Sequence, residues 1–191
     1  MRITGGEYRG RKIYSGKLKD VRPATDRVRE TIFSILPQYI HFPGATVVDL
    51  YAGTGSLGFE CLSRGAQFVV FVDISKEAVR AINKTAEALE CLDRCEVIRI
   101  SVDRFLKNPS IQARLIFADP PYAMEHLVNL PSQIAQSEIK KDDAILLIEH
   151  NKQTTFPENS IYSIIRQKIF GNSIVSFFRL YSSATNNRVR L

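Results

Sequence analysis

The residues best suited to chemistry fall in two short stretches. The first reads Val48-Asp49-Leu50-Tyr51-Ala52-Gly53-Thr54-Gly55-Ser56-Leu57-Gly58 and contains the spacing G-x-G-x-x-G. Glycines between a strand and a helix let a backbone come close to a ligand, and the helix N-terminus beyond them attracts anions. Those letters alone do not name the ligand. Asp49 discriminates, because a carboxylate beside the loop opposes the pyrophosphate of a dinucleotide, whereas S-adenosylmethionine presents an ammonium and a sulfonium. With the Asp119-Pro120-Pro121-Tyr122 corner and a closing C-terminal hairpin, Asp49 shifts the reading of the loop to S-adenosylmethionine.

Further acidic residues are spaced to complete such a site. Asp73 ends the next strand-like run, where an acidic side chain commonly bonds ribose hydroxyls, a contact open to either cofactor. Asp103 follows the third run and either accepts from an adenine amino group or caps the short helix after it. Ala52, Gly53 and Gly55 in the loop, Ile74 beside Asp73, and Asp119 complete the candidate cofactor-binding set.

The second stretch is Asp119-Pro120-Pro121-Tyr122. The prolines stiffen the backbone and carry no N–H, leaving carbonyls and a carboxylate as acceptors beside an aromatic ring. Such a corner suits an exocyclic amine on a planar base. The amine is a poor nucleophile because its lone pair is delocalised into the ring; hydrogen bonds to Asp119 and to the Pro120 carbonyl favour a pyramidal nitrogen. Tyr122 would stack on the base, a contact worth roughly 1–3 kcal/mol. Asp119, Pro120 and Tyr122 are the candidate catalytic residues, acting through orientation and electrostatics without a covalent intermediate.

The elements that must position these residues alternate regularly. Strands are expected at Ala45–Leu50, Gln67–Asp73, Cys95–Ser101, Ala113–Ala118 and Ala144–Glu149. Helices are expected at Ser56–Arg64, Lys76–Leu89, Asp103–Leu106 and Met124–Ser137. Near-continuous apolar runs such as FVVFV and AILLI require burial on both sheet faces, which makes the fold a mostly parallel α/β sheet flanked by helices. Ile161–Phe170 and Ser173–Tyr181 are separated only by Gly171-Asn172, so they form a hairpin and bring in an antiparallel strand. Before the first strand, a helix capped by Thr25 or Asp26 carries Val28, Ile32, Ile35 and Leu36 on one stripe until Pro37; Arg27 and Arg29 fall off that stripe.

At 191 residues the chain suits one domain. Its net charge of +6 resides wholly in residues 1–29, which hold nine Lys or Arg against three Asp or Glu. There, β-prone pieces at Arg2–Thr4 and Lys12–Tyr14 flank glycines and read as a basic hairpin-like arm. A phosphate backbone is drawn to such a block, and a solvated basic face is the plain alternative. Arg9, Arg11, Lys12, Arg22 and Arg27 are the candidate nucleic-acid-binding residues. Three cysteines and three scattered histidines match no common ligand spacing, so reduced thiols and no metal are expected. With no membrane-length apolar run and no leader at Met1, the expected setting is cytoplasmic, without a membrane. The expected organisation is an arm at 1–24, a catalytic domain at 25–182 and a polar tail at 183–191.

The combination DLYAGTGSLGFE, FVDIS and DPPY resembles the amino-methylating Rossmann-like S-adenosylmethionine-dependent methyltransferases. Within that class, GGEYRGRK, RPATDRVRETIF and ECLSRGA resemble the RsmD family of 16S ribosomal RNA guanine-N2 methyltransferases, over nearly the whole chain. The resemblance implies a seven-stranded sheet whose last strand is inserted antiparallel. It also implies methylation of one guanine N2 in small-subunit ribosomal RNA, free or in an assembled or partly assembled particle, by a monomer. Asp49, Gly53 and Gly55 would then bind the methionine part, Asp73 the ribose and Asp103 the adenine. Arg22, Thr25, Asp26 and Arg27 match the family's N-terminal motif, beside the cofactor and the RNA. Tyr51 departs from the wider class, which often has a glycine there, and its ring is expected near the cofactor. A DNA amino-methyltransferase would use the same DPPY corner, yet this chain has little room for a DNA-reading domain. An NAD-dependent oxidoreductase would need a placed proton-transfer residue, and a non-catalytic RNA-binding protein would not need both motifs.

Overall fold

The computed structural model describes residues 1–16, 26–121, 124 and 126–181. Each apolar run forms a strand: β1 (Thr46–Leu50), β2 (Phe68–Asp73), β3 (Cys95–Arg99), β4 (Ala113–Ala118), β5 (Lys140–Asn151), β6 (Tyr162–Phe170) and β7 (Ser173–Leu180). The helices are α1 (Asp26–Ile35), α2 (Ser56–Ser63), α3 (Lys76–Leu89), α4 (Val102–Lys107) and α5 (Leu130–Gln136). The strands make one seven-stranded sheet in the order β3-β2-β1-β4-β5-β7-β6. β1 to β5 are parallel, and β7 lies between β5 and β6, antiparallel to both. Strand order reverses between β1 and β4, so a crevice opens at the carboxyl ends of those two strands.

Period-2 alternation sorts side chains to the two faces of this sheet. Val47, Leu115, Phe117, Ile145, Leu147 and Phe177 face α1, α2 and α3, while Val48, Ile116, Leu146 and Phe178 face α4 and α5. The central strands are buried on both sides, as their apolar runs require; each full burial of such a side chain contributes roughly 1.5–3 kcal/mol. Cys61 and Cys91 are part of the first core layer as small apolar groups.

Four expectations are corrected. The helix at Met124–Ser137 is instead a single 3-10 turn at Leu127–Asn129 followed by α5, because Pro131 fits only the first turn of an α-helix. β5 begins at Lys140, well before Ala144; its polar start carries no apolar signal, and a register shift with Asp143 at φ 56° joins it to the buried part. Asp103 does not cap α4, since Ser101 holds the N-cap position and Asp103 lies inside the first turn. Arg29 is fully buried rather than outside the stripe, because Arg29, Ile32, Phe33 and Leu36 share a face at helical spacing.

The arm is a hairpin docked on the domain. Arg2 and Lys12 form an antiparallel bridge, and Ile3, Tyr8 and Ile13 insert into the core layer beneath α1 and α2. Its backbone is held by α2: the Glu7 N–H donates to the Ser63 carbonyl (2.7 Å), and the Tyr8 N–H to the Ser63 hydroxyl (2.8 Å). A charge cluster in which Arg29 and Glu60 are buried and Asp26 is exposed locks the same junction. Arg29 donates to Asp26 (2.7 Å) and to the Arg2 carbonyl (2.6 Å), and its guanidinium lies 3.8 Å from Glu60, which accepts from the Thr4 N–H (2.6 Å).

Candidate active site

The turn between β1 and α2 is built by backbone geometry. Tyr51, Gly53 and Gly55 all have positive φ (56°, 54° and 72°), the region glycine enters without strain. Tyr51 therefore occupies a glycine-type conformation, which explains why a glycine is common at that position. Gly55 is the N-cap of α2 and has no side chain to offer the helix. Asp49 supplies the missing acceptor: its carboxylate takes the Gly58 N–H at 3.0 Å, in the first turn of α2. Gly58 itself is demanded by packing, since a Cβ there would lie 2.2 Å from Cε1 of Phe71.

Asp73 secures the other side of the turn. One oxygen accepts the Gly53 N–H (2.8 Å) and the other the Ser75 N–H (2.8 Å), so one carboxylate ties the glycine turn to the start of α3. Ser75 then caps α3 by accepting from the Ala78 N–H.

Beside this turn lies a cleft of about 600 Å3, counting its open mouth. Asp49, Ala52, Gly53 and Asp119 line it, together with Ile32 of α1 and Glu149 of β5. Alternation explains the carboxylates: Asp49 is two residues beyond Val47, Asp119 two beyond Phe117, and Glu149 two beyond Leu147, so all three continue one buried apolar layer at adjacent strand ends. Asp49 and Asp119 both feel desolvation by the surrounding protein and a neighbouring carboxylate. Burial pushes the Asp49 carboxyl well above the usual carboxylate range, with the Gly58 N–H opposing and the charges of Asp119 and Asp73 adding. Asp119 is exposed at the cleft mouth, yet the protein packed around it and the charge of Glu149 push its carboxyl up to about 7, a shift that solvent at the mouth screens.

The remaining sequence-derived residues surround this cleft unevenly. Gly55 supports the turn from behind, Asp73 is occupied by the backbone bonds above, and Ile74 is exposed beyond it. Asp103 is exposed on α4, near enough to Tyr51 that its charge, after burial, helps raise that phenol to about 12. Pro120 is buried behind Asp119. Arg9, Arg11, Lys12 and Arg27 are exposed; one Arg11 N–H is used on the Ala88 carbonyl near the end of α3. Lys12 and Lys84 both lie over the Tyr14 ring, at 5.3 and 4.5 Å from its centroid. Tyr122, Arg22 and Thr25 lie outside the described residues. Sequence reasoning missed Glu149, whose signal was its place two residues beyond Leu147 on a strand already recognised, and Arg29 with Glu60. Among the described residues no group of three or more His, Cys, Asp or Glu could hold a metal ion, and no helix is long and apolar enough to cross a membrane.

A sheet of this order, with a carboxylate-flanked glycine turn at its switch point and an Asp-Pro-Pro corner facing it, defines the Rossmann-like S-adenosylmethionine-dependent methyltransferase class. Comparison with known proteins narrows this. The family described as Conserved hypothetical protein 95 matches residues 1–179. The chain is 36% identical over 188 residues to Ribosomal RNA small subunit methyltransferase D of Haemophilus influenzae, covering 96% of this chain and 94% of that one. It is 31% identical to the Escherichia coli (strain K12) protein of the same name, over 95% and 89% of the two chains. The solved structure of the Escherichia coli protein yhhF matches with a TM-score of 0.83 at 28% identity, over 96% of this chain and 99% of that one. The chain belongs to the ribosomal RNA small subunit methyltransferase D family.

Proposed function

We propose that this protein methylates the exocyclic N2 amine of a guanine in small-subunit (16S) ribosomal RNA, with S-adenosylmethionine as the donor. The gathering of Asp49, Asp119 and Glu149 around one cleft carries the reading. Three acidic side chains around one cleft disfavour an anionic dinucleotide and suit a ligand with a cationic centre. When bound, S-adenosylmethionine supplies an electrophilic methyl group on a sulfonium. Asp49, Ala52 and Gly53 would hold it from the turn, with Asp73 and Asp103 at its ribose and adenine ends.

The chain's own residues then prepare the amine. Asp119 and the Pro120 carbonyl accept its two N–H bonds, which draws the nitrogen lone pair out of conjugation and aims it into the cleft. The raised pKa of Asp119 makes its carboxylate a better base for the proton that the amine must shed. Tyr122 would stack on the base. Arg9, Arg11, Lys12, Arg22 and Arg27 would hold the RNA backbone; Arg11 keeps further N–H donors free after its bond to Ala88. The ribosomal substrate makes the cytoplasm the setting.

The test is incubation with radiolabelled S-adenosylmethionine and either naked 16S ribosomal RNA or small ribosomal subunits, followed by mapping of the labelled nucleotide. Label on one guanine N2 is expected, lost in Asp119→Ala with cofactor binding largely retained. Label on neither RNA, or full transfer by Asp119→Ala, would overturn the reading.

A further inference from the structure

Glu149 stands in the cleft without a part in the chemistry so far described. Phe117 of β4 pairs in register with Leu147 of β5, and Ala118 with Ile148, so the next residues along, Asp119 and Glu149, are neighbours at the strand ends. Both line the cleft, and on its other side Glu149 pairs in register with Val175 of β7. The antiparallel insertion of β7 thus walls the acidic corner with an apolar side chain.

We propose that Glu149 reads the N1–H of the target base, and so makes the site selective for an amine whose neighbouring ring nitrogen is a hydrogen-bond donor. This rests on the reading of the cleft as a guanine N2 methyltransferase site and states how it chooses its base. Guanine carries the N2 amine and N1–H side by side, two donors that match two adjacent carboxylates: Asp119 accepts from N2 and Glu149 from N1. Adenine N6 and cytosine N4 each sit beside a ring nitrogen with a lone pair, which a carboxylate at that position repels. The charge that Glu149 places on Asp119 has the same consequence, because a base edge offering two donors relieves it and an edge offering an acceptor does not. In the transfer the N2–C bond forms and the C–S bond breaks with its electron pair left on sulfur. N2 loses one proton to Asp119, and the N1 proton stays on the base, held by Glu149.

The experiment compares RNA carrying guanine at the methylated position with the same RNA carrying 2-aminopurine, which keeps the amine but has a lone pair at N1. In the wild type, kcat/KM for 2-aminopurine should be lower by roughly 10- to 100-fold, the worth of a hydrogen bond to a charged group. Glu149→Gln, whose amide can turn to donate, should narrow that ratio at least tenfold. Cofactor binding by calorimetry verifies that the variant is folded. If Glu149→Gln does not bind cofactor, Glu149→Asp replaces it, and a guanine rate equal to wild type in that variant counts against the proposal. Equal rates on the two RNAs in the wild type, or a ratio unchanged in Glu149→Gln, overturns it. Failure to methylate the guanine RNA at all strikes the function itself instead.

Discussion

Replacing Arg29 by Met tests whether the charge cluster joins the arm to the catalytic domain. Arg29 is fully buried, and the variant would remove its bonds to Asp26 and to the Arg2 carbonyl and its ion pair with Glu60. Breaking a buried pair by removing one partner costs about 3–5 kcal/mol, because the other charge stays behind. Glu60 keeps the Thr4 N–H and Arg64, the latter at 3.4 Å, which places the loss near the lower end, about 3 kcal/mol. For a domain of this size that corresponds to a fall in Tm of roughly 6–12 °C. Urea unfolding followed by circular dichroism measures the loss. Replacing Glu60 by Gln as well should then cost less than the sum of the single changes. Amide exchange at Ile3 and Ile13 should accelerate, since both N–H groups bond within the arm hairpin. Stability within about 0.5 kcal/mol of wild type, the spread of ordinary surface substitutions, would refute the reasoning.

The arm and the site carry further expected outcomes. Arg9→Ala with Lys12→Ala should weaken RNA binding and reduce the slope of log affinity against log salt by about 0.7–0.9 per lost contact; an unchanged slope would remove these residues from the phosphate grip. Methyl transfer should rise with pH through about 7 as Asp119 ionises, because the ionised form is the acceptor. Glu149→Gln removes one cause of that raised value, so the midpoint should move to lower pH; an unmoved midpoint would contradict the pairing. The stability sign is opposite: a carboxyl raised on folding is protonated more in the native state, so stability falls as pH rises from the ordinary Asp range through about 7. Asp119→Asn should lack that fall.

The strands were legible in the sequence because their apolar runs are long enough to demand two-sided burial, and the closing hairpin because so few residues separate β6 from β7. Legibility failed where local pattern and tertiary setting diverge. The start of β5 is polar and gains its strand geometry only by pairing with β4. Pro131 divided a segment whose apolar spacing suggested one helix. Arg29 was placed off the apolar stripe, although its spacing to Ile32 and Phe33 put it on the buried face; Asp26, the Arg2 carbonyl and Glu60 of a different helix make an arginine tolerable there. In the site, Asp49 was read as a ligand for the cofactor's ammonium, and it also proves to be the acceptor that α2 lacks at Gly55.

By itself the sequence determined the alternating sheet, the glycine turn at the end of β1, the acidic corner at the end of β4 and the basic charge at the N-terminus. Each is a local matter of apolar periodicity, backbone freedom or composition. The tertiary structure decided which carboxylates share one cleft. Asp49, Asp119 and Glu149 lie far apart along the chain, and only the parallel pairing of β1, β4 and β5 brings them to one cleft, Asp119 beside Glu149 and Asp49 level with Phe117. It also decided that the arm is seated on α2, the helix that begins at the glycine turn, because Ile3 and Ile13 need a core and Glu60 needs partners that their own segments cannot supply.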